Sequence, residues 1–393
     1  MAASTLPTLT PEPALQPAEI KFGGAAEARL AGLNSGRQAY WQGVLRHGSK
    51  ICAPNLRTRP GIVCHEDRWW PLTINDRREG NSYPCSLHTQ YVTYPQAELS
   101  LVPGLAQRRV ARIGLLALDL ILRIAQADRV AQWSSWLFST NLHEPGMGSS
   151  VEAVTRTLVS AFPDHAVLVK NVHGFEEPSL PGAFEAAGYD LVTSRQIYFF
   201  DGRTRDYLQK STVKRDLKSL AQLVDYQVVE HNQIQPQDLP RITDLYRQLY
   251  LEKHSWLNPQ YSEVFVARAW REGWLEFRGL RHASGRLDGI FACFTSGQTT
   301  STPFIGYDTT LPSELGLYRH LVSMLLQRLA ERRWLLNYSS GAGDFKRRRG
   351  GQPVIEFNAI YHRHLPARRR AAFSILATLA NRWGRQFLEE NEI

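Results

Sequence analysis

Cysteine is scarce in this chain, with four residues in 393. That is too few for a secreted disulfide scaffold and agrees with a reducing compartment. Close ligand pairs of the kind that hold structural zinc are also missing. Cys52, Cys64, His65, Cys85 and His88 fall in one stretch, yet only Cys85-x-x-His88 has ligand spacing, so these side chains read as buried thiols and surface imidazoles, with no metal. No apolar run approaches the ~18 residues of a membrane span. The nearest, Val110 to Ala125, is broken by Arg112, Asp119 and Arg123. The first 20 residues contain four prolines and no cation before Lys21, which is not a signal peptide; they read as a loose tail, and the expected location is the cytoplasm. A Gly-x-Ser-x-Gly nucleophile elbow is absent, and Cys293 lies in an apolar strand as a core residue.

What is present is a large apolar and aromatic complement. Apolar residues make up 43% of the chain, with 10 Trp, 15 Tyr and 16 Phe, enough for well-packed cores at a length that exceeds one of them. Apolar positions 113, 116, 117, 120, 121 and 124 predict a helix with one buried face over 110–126. A second helix is predicted over 151–161, a strand over 166–169, a short helix ending at Gly188 and a strand over 195–200. A charged helix over 204–225 is read as the link between two lobes. Beyond it come helices over 238–251 and 262–272, then strands over 275–280, 287–296 and 302–307. Trp69, Trp70 and the alternating Gln90 to Tyr94 suggest short strands and turns in the N-terminal region.

The segment from Thr309 to Gly351 is the most informative. Pro312 and Ser313 suit a helix start, and Tyr318, Leu321, Val322, Leu325 and Leu329 recur at helical spacing, which predicts a helix over 313–333 with one face buried. Open amides at that start attract anions, and Gly316 leaves room for a ligand to approach the backbone. Positive charge gathers just beyond. The formal net charge is +9, and between Phe345 and Arg370 eight cationic residues (Lys346, Arg347, Arg348, Arg349, Arg363, Arg368, Arg369 and Arg370) face the single acid Glu356. Planar guanidinium forks suit phosphate, and the alternative is a solvated basic face. The stretch 371–387 is apolar at helical spacing and reads as a helix packed on the protein, with a membrane-surface role as the alternative.

The order Ile305-Gly306-Tyr307-Asp308, Pro312 to Arg319, Leu335 to Tyr338, then Phe345-Lys346-Arg347-Arg348-Arg349-Gly350 resembles the BioF2-like acetyltransferase domains of the GNAT superfamily, which are close in fold to the Fem aminoacyltransferases that use charged tRNA. Ala166 to Asn171, Leu180 to Tyr189 and Ser194 to Tyr198 look like the first half of these two-lobed proteins, so the resemblance covers about residues 150–365. It departs from many coenzyme A enzymes at 311–316, which lacks the Arg/Gln-x-x-Gly-x-Gly/Ala pyrophosphate loop.

The resemblance implies a mixed α/β (α+β) fold of two GNAT-like lobes, each a largely antiparallel sheet flanked by helices. The expected division is a tail over 1–20, an N-terminal lobe over 21–200, a linking helix over 201–225, a C-terminal acyltransferase lobe over 226–365 and a basic amphipathic helix over 366–393. The implied reaction is acyl transfer by direct attack, with acyl-CoA as co-substrate and the amine or hydroxyl of a small molecule, envelope precursor or natural-product intermediate as acceptor. A Fem-type enzyme using charged tRNA is the alternative, and a non-catalytic nucleic-acid-binding protein is the alternative of another class. In the catalytic reading Lys346 stabilises developing negative charge, Tyr307 returns a proton to the leaving group, Asp308 accepts one, and His254, with Glu252 beside it, serves acid/base work on the acceptor side. Ser313, Leu315, Gly316, Leu317, Tyr318, Arg319 and Arg347 are the expected donor contacts.

Overall fold

In the computed structural model, which describes residues 17–31, 36–77, 80–101, 104–384 and 386, the chain builds one mixed sheet of twelve strands. They are β1 (Glu19–Phe22), β2 (Arg59–His65), β3 (Arg68–Asn75), β4 (Val130–Trp133), β5 (Ala166–Val172), β6 (Asp190–Asp201), β7 (Tyr226–Glu230), β8 (Glu276–His282), β9 (Leu287–Ser296), β10 (Thr299–Tyr307), β11 (Leu335–Asn337) and β12 (Gln352–Tyr361). Their order across the sheet is β1-β2-β3-β4-β5-β12-β6-β11-β10-β9-β8-β7.

That order contains an internal repeat. Advancing each strand number by six, and counting round from twelve, turns one half of the sheet into the other read backwards. Each copy runs strand, two helices, three strands, helix, strand, short helix, strand, except that in the first copy a helical insertion separates β3 from β4. In each copy the fourth and fifth strands pair in parallel, β4 with β5 and β10 with β11. The last strands are exchanged: β12 inserts between β5 and β6, and β6 between β12 and β11. The two expected lobes therefore share a single sheet instead of carrying one each, because the antiparallel β6·β12 ladder at the centre joins them. We propose the boundary between the copies just after Asp201.

Burial follows composition. β5 is inaccessible along its whole length, as expected of a strand covered on both faces. The Leu317–Arg332 helix buries Leu321, Val322, Leu325 and Leu329 as their spacing predicted, although it begins at Leu317 after a tight turn over Ser313–Leu315. The helix over 151–161 and the strand over 287–296 form where expected.

Several expectations need correction. The charged segment 204–225 forms an α-helix only over Ser211–Ala221, after a single 3-10 turn over Asp206–Gln209, and that helix packs on the Leu317–Arg332 helix. Gln90 to Tyr94 is helical, since Pro95 opens the first turn of a following helix and Val92 turns into the core. β1 starts at Glu19, inside the stretch read as a tail; residues 1–16 lie outside those described. The C-terminal helix spans Ala367–Leu379 and buries Phe373 and Leu376, with 387–393 outside the described residues. Helix Leu105–Ala125 does form, but Ile113, Leu116 and Leu120 on its supposed core face are exposed and only Leu122 and Ala125 are buried. β12 was not anticipated. Its partners are β5 and β6, far away in sequence, and the pairing is interrupted by bulges that break the alternation of side chains.

Gly306 is where the sheet meets a helix most closely. A Cβ there would overlap the Leu245 carbonyl group, at the core of the helix Leu239–Tyr246 packed on β10. Gly306→Ala is expected to lower unfolding free energy by about 1–3 kcal/mol, read as a drop in the urea midpoint with an unchanged m-value.

Candidate functional site

β10 and β11 pair in parallel only through Thr299 to Ser301 against Leu335 to Asn337. Beyond that point β11 ends, while β10 continues to Tyr307 bonded on its other edge to β9. The strands thus splay, and a cavity of about 550 Å³ opens at the notch. Thr302, Ile305 and Tyr307 line one side of it, and Tyr338 with the turn 339–342 the other. The first copy contributes Phe138 and Ser139 with Lys170 and Asn171, from beyond its own parallel pair β4·β5. Arg195 and Glu356 of the exchanged strands lie between them.

The structure brings together four of the sequence-predicted residues, Lys346, Tyr307, His254 and Tyr318, all of which border this cavity. Tyr307 accepts a hydrogen bond from Lys253 Nζ at 2.9 Å, which leaves its own hydroxyl proton for another acceptor. Tyr318 and Tyr338 touch through their hydroxyls at 3.3 Å. His254 is an exposed side chain at the rim; the protein packed on its inner side, and then Lys253, push its pKa below the usual histidine value.

Lys346 is buried, and its ammonium donates to the carbonyls of Tyr338, Ser339 and Ser340 at 2.7, 3.1 and 2.8 Å. It also lies 4.6 Å from the centroid of the Tyr338 ring. Burial, and then Arg195, push its pKa well down, whereas three carbonyl acceptors consume three N–H donors and so hold the protonated form. The geometry decides in favour of the ammonium. The turn it closes needs such a tie, because Ser339, Gly341 and Ala342 all take left-handed φ values of 57°, 79° and 50°. Lys346 thus ties down the turn that forms part of the cavity wall.

Other predicted residues lie elsewhere. Asp308 is buried away from the cavity, where it accepts from Arg241 Nη2 at 2.6 Å and from Thr310 N at 2.9 Å, as a turn former. Glu252 pairs with Arg247 on the surface. Ser313 is exposed, Leu317 is core, and neither they nor Leu315, Gly316, Arg319 and Arg347 border the cavity. Gly316 has φ +62°, and Arg319 folds back so that its Nη2 would lie 2.8 Å from a Cβ there, occupying the expected anion cradle with the chain's own guanidinium. Arg347 donates to the Tyr198 hydroxyl at 2.9 Å. The basic cluster is not one solvated patch either: Arg349 is buried on Asp216 Oδ2 at 2.5 Å, and Arg369 donates to the Ala125 and Asp164 carbonyls.

Sequence reasoning missed Lys170. It interrupts the otherwise apolar run Ala166 to Val169, and a cation inside a fully buried strand was the available signal. Its Nζ donates to the Tyr83 carbonyl at 2.5 Å. Desolvation, opposed by Cys85 and aided by Arg195, brings its pKa down to about 7. The Arg195–Glu356 pair beside it was also missed. Arg195 donates from Nε to Glu356 Oε1 at 2.8 Å and from Nη2 to the Ser139 carbonyl at 2.6 Å. Although burial opposes its charge, Glu356 outweighs that cost and raises the Arg195 pKa. The four thiols are buried, and burial pushes Cys52, Cys85 and Cys293 up to about 12, so none is poised as a nucleophile. No group of His, Cys, Asp and Glu among the described residues is arranged to hold a metal ion.

No family model and no curated protein matches the chain. Solved structures match it by shape. FemX superposes with a TM-score of 0.51 at 8% identity, covering 89% of this chain and 97% of that one. L-PGS from Bacillus licheniformis gives 0.44 at 12% identity, over 60% of this chain and 80% of that one. A tandem GNAT protein from the clavulanic acid biosynthesis pathway gives 0.39 at 12% identity, over 89% and 99%. At these identities the likeness is one of fold, and the near-complete FemX superposition spans both copies of the repeat. The protein shares the fold of FemX.

Proposed function

We propose that the chain is an acyltransferase whose site is the central cavity, with acyl-CoA as donor and an amine as acceptor. The observation that carries the reading is Lys170, a cavity-lining amine brought to a pKa of about 7, opposite a tyrosine whose hydroxyl proton is unspent. The open edge of β10 beyond Ser301 offers backbone groups to an extended, amide-bearing donor arm, as a strand edge does to a peptide. The donor's phosphates lie outside the notch, on the Arg319 guanidinium that covers the turn rather than on the turn's amides, with Tyr318 against the arm.

In this reading neutral Lys170 takes a proton from the acceptor's ammonium group. The freed nitrogen lone pair forms a bond to the thioester carbonyl carbon as the carbonyl π pair moves to oxygen. When that pair returns, the carbon–sulfur bond breaks and the thiolate leaves with its electrons. Tyr307 supplies the thiolate with a proton, and Lys253 at its oxygen steadies the phenolate that results. This phenolate takes up the second proton of the now cationic acceptor nitrogen, which leaves a neutral amide and restores the phenol. Lys346 holds the turn 338–342 against which the donor sits.

A second reading, a Fem-type enzyme using charged tRNA, is favoured by one observation: the segment expected to cradle coenzyme A phosphates is covered by Arg319. Acetyl-CoA, longer acyl-CoA species and charged tRNA distinguish the two in a thermal-shift titration, since a ligand of the native state alone raises Tm. A rise with an acyl-CoA is expected. A rise with charged tRNA alone replaces the donor, and silence with all three removes the acyltransferase reading.

Lys170 makes a paired prediction. Acyl transfer should increase with pH through about 7. Lys170→Met should lose about 10²–10⁴-fold in turnover, the usual worth of a positioned base. Stability follows the same titration. The folded pKa lies below the unfolded value near 10.4, so between about pH 7 and 10.4 the unfolded chain binds more protons and wild-type stability rises by about 1.4 kcal/mol per pH unit from this group. Lys170→Met should therefore be more stable relative to wild type at pH 6 than at pH 10, measured by urea unfolding at both. Tyr307→Phe should slow release of the thiol while leaving donor affinity near wild type, read by pre-steady-state kinetics.

A further inference from the structure

The repeat isolates a segment that the fold does not require. In the second copy β9 and β10 are joined by a tight hairpin at Gly297, whereas the equivalent strands of the first copy, β3 and β4, are separated by residues 76–129. That insertion carries the helix Leu105–Ala125, 21 residues long, or about 31 Å.

The helix is apolar on two opposite sides. Leu118, Leu122 and Ala125 face the protein, packing with Phe373 and Leu376 of the Ala367–Leu379 helix. Val110, Ile113, Leu116 and Leu120 lie on the other side, where they are 72%, 67%, 57% and 59% exposed. Lone exposed apolar residues are ordinary, but a ridge of them along one helix is a surface awaiting a cover. Arginines flank the ridge: Arg109 and Arg112 are exposed, and Arg123 stands one turn past Leu120. The sole acid of the helix, Asp119, is already engaged by His88 and Arg123. Exposed Arg368, Arg370 and Ile375 of the neighbouring helix extend the same chemistry.

We propose that this face docks in the plane of an anionic lipid bilayer, with Val110, Ile113, Leu116 and Leu120 in the headgroup–acyl boundary and the arginines on the phosphates. Charge complementarity selects this occupant. A second copy would cover the apolar ridge but would set the same arginine margin against itself, whereas acidic headgroups supply a counterpart along the whole helix. The helix is not a span: no described helix is long and apolar enough to cross a membrane.

Flotation of the full chain with vesicles of phosphatidylcholine, and of phosphatidylcholine mixed with phosphatidylglycerol, tests this. Binding is expected only with the anionic vesicles, weakening as salt is added. Ile113→Glu with Leu120→Glu should remove it, and Arg109→Ala with Arg112→Ala should weaken it about 25-fold, roughly fivefold per arginine. These side chains contact solvent, so Tm should not change, and a fall in the glutamate variant would leave the arginine variant as the decisive one. Absence of binding to anionic vesicles, or binding that neither pair of substitutions weakens, overturns the proposal. So does a wild-type dimer in sedimentation that the glutamate variant converts to monomer.

Discussion

The exchange of β6 and β12 is the constraint on which the rest of the structure depends. Each copy of the repeat surrenders its last strand to the other, so neither copy has a complete sheet of its own. At the centre of that ladder Glu356 faces Arg195, with side-chain exposures of 1% and 15%. A buried ion pair is costly unless its remaining polar atoms are satisfied. Here the guanidinium also reaches the Ser139 carbonyl and Thr140, and Ser194 completes the Glu356 shell. The pair is thus as much a register mark for the exchange as a source of stability, because a one-residue slip of β12 would strand both charges.

The site inherits its position from this arrangement. In each copy a parallel pair opens at its end, and the exchanged strands bring both openings to one cavity. Two buried lysines result, with opposite fates. Lys346 has three carbonyl oxygens and spends its charge closing a strained turn, whereas Lys170 has one to set against a desolvation that both share. The same side chain is a structural tie in one place and a titratable group in the other. The number of oxygen acceptors decides which.

Local pattern revealed much of the helical and strand content, since 151–161, 287–296 and the buried face of 317–332 depend on spacing that any short window contains. It placed Tyr307, Tyr318, His254 and Lys346 near one another through the resemblance to GNAT domains, and all four border the cavity. It misplaced Asp308, because an aspartate at a strand end looks the same whether it points into a cleft or caps a turn. It read the eight cations of 345–370 as one feature, although spacing along a chain does not report that Lys346, Arg349 and Arg369 point inward. The helix over 105–125 was given a single core face for the same reason: periodicity shows that a face is apolar, not what covers it.

What the sequence by itself determined is therefore what short-range physics controls: the periods of the helices and strands, the stop at Gly188, and the excess of positive charge. The partner of β12, the notch between β10 and β11, the desolvation of Lys170 and the exposure of the 105–125 ridge were decided only by the tertiary structure. Each depends on groups brought together from distant parts of the chain, and the free energy of a buried charge or an uncovered apolar face is set by those neighbours rather than by the residue that carries it.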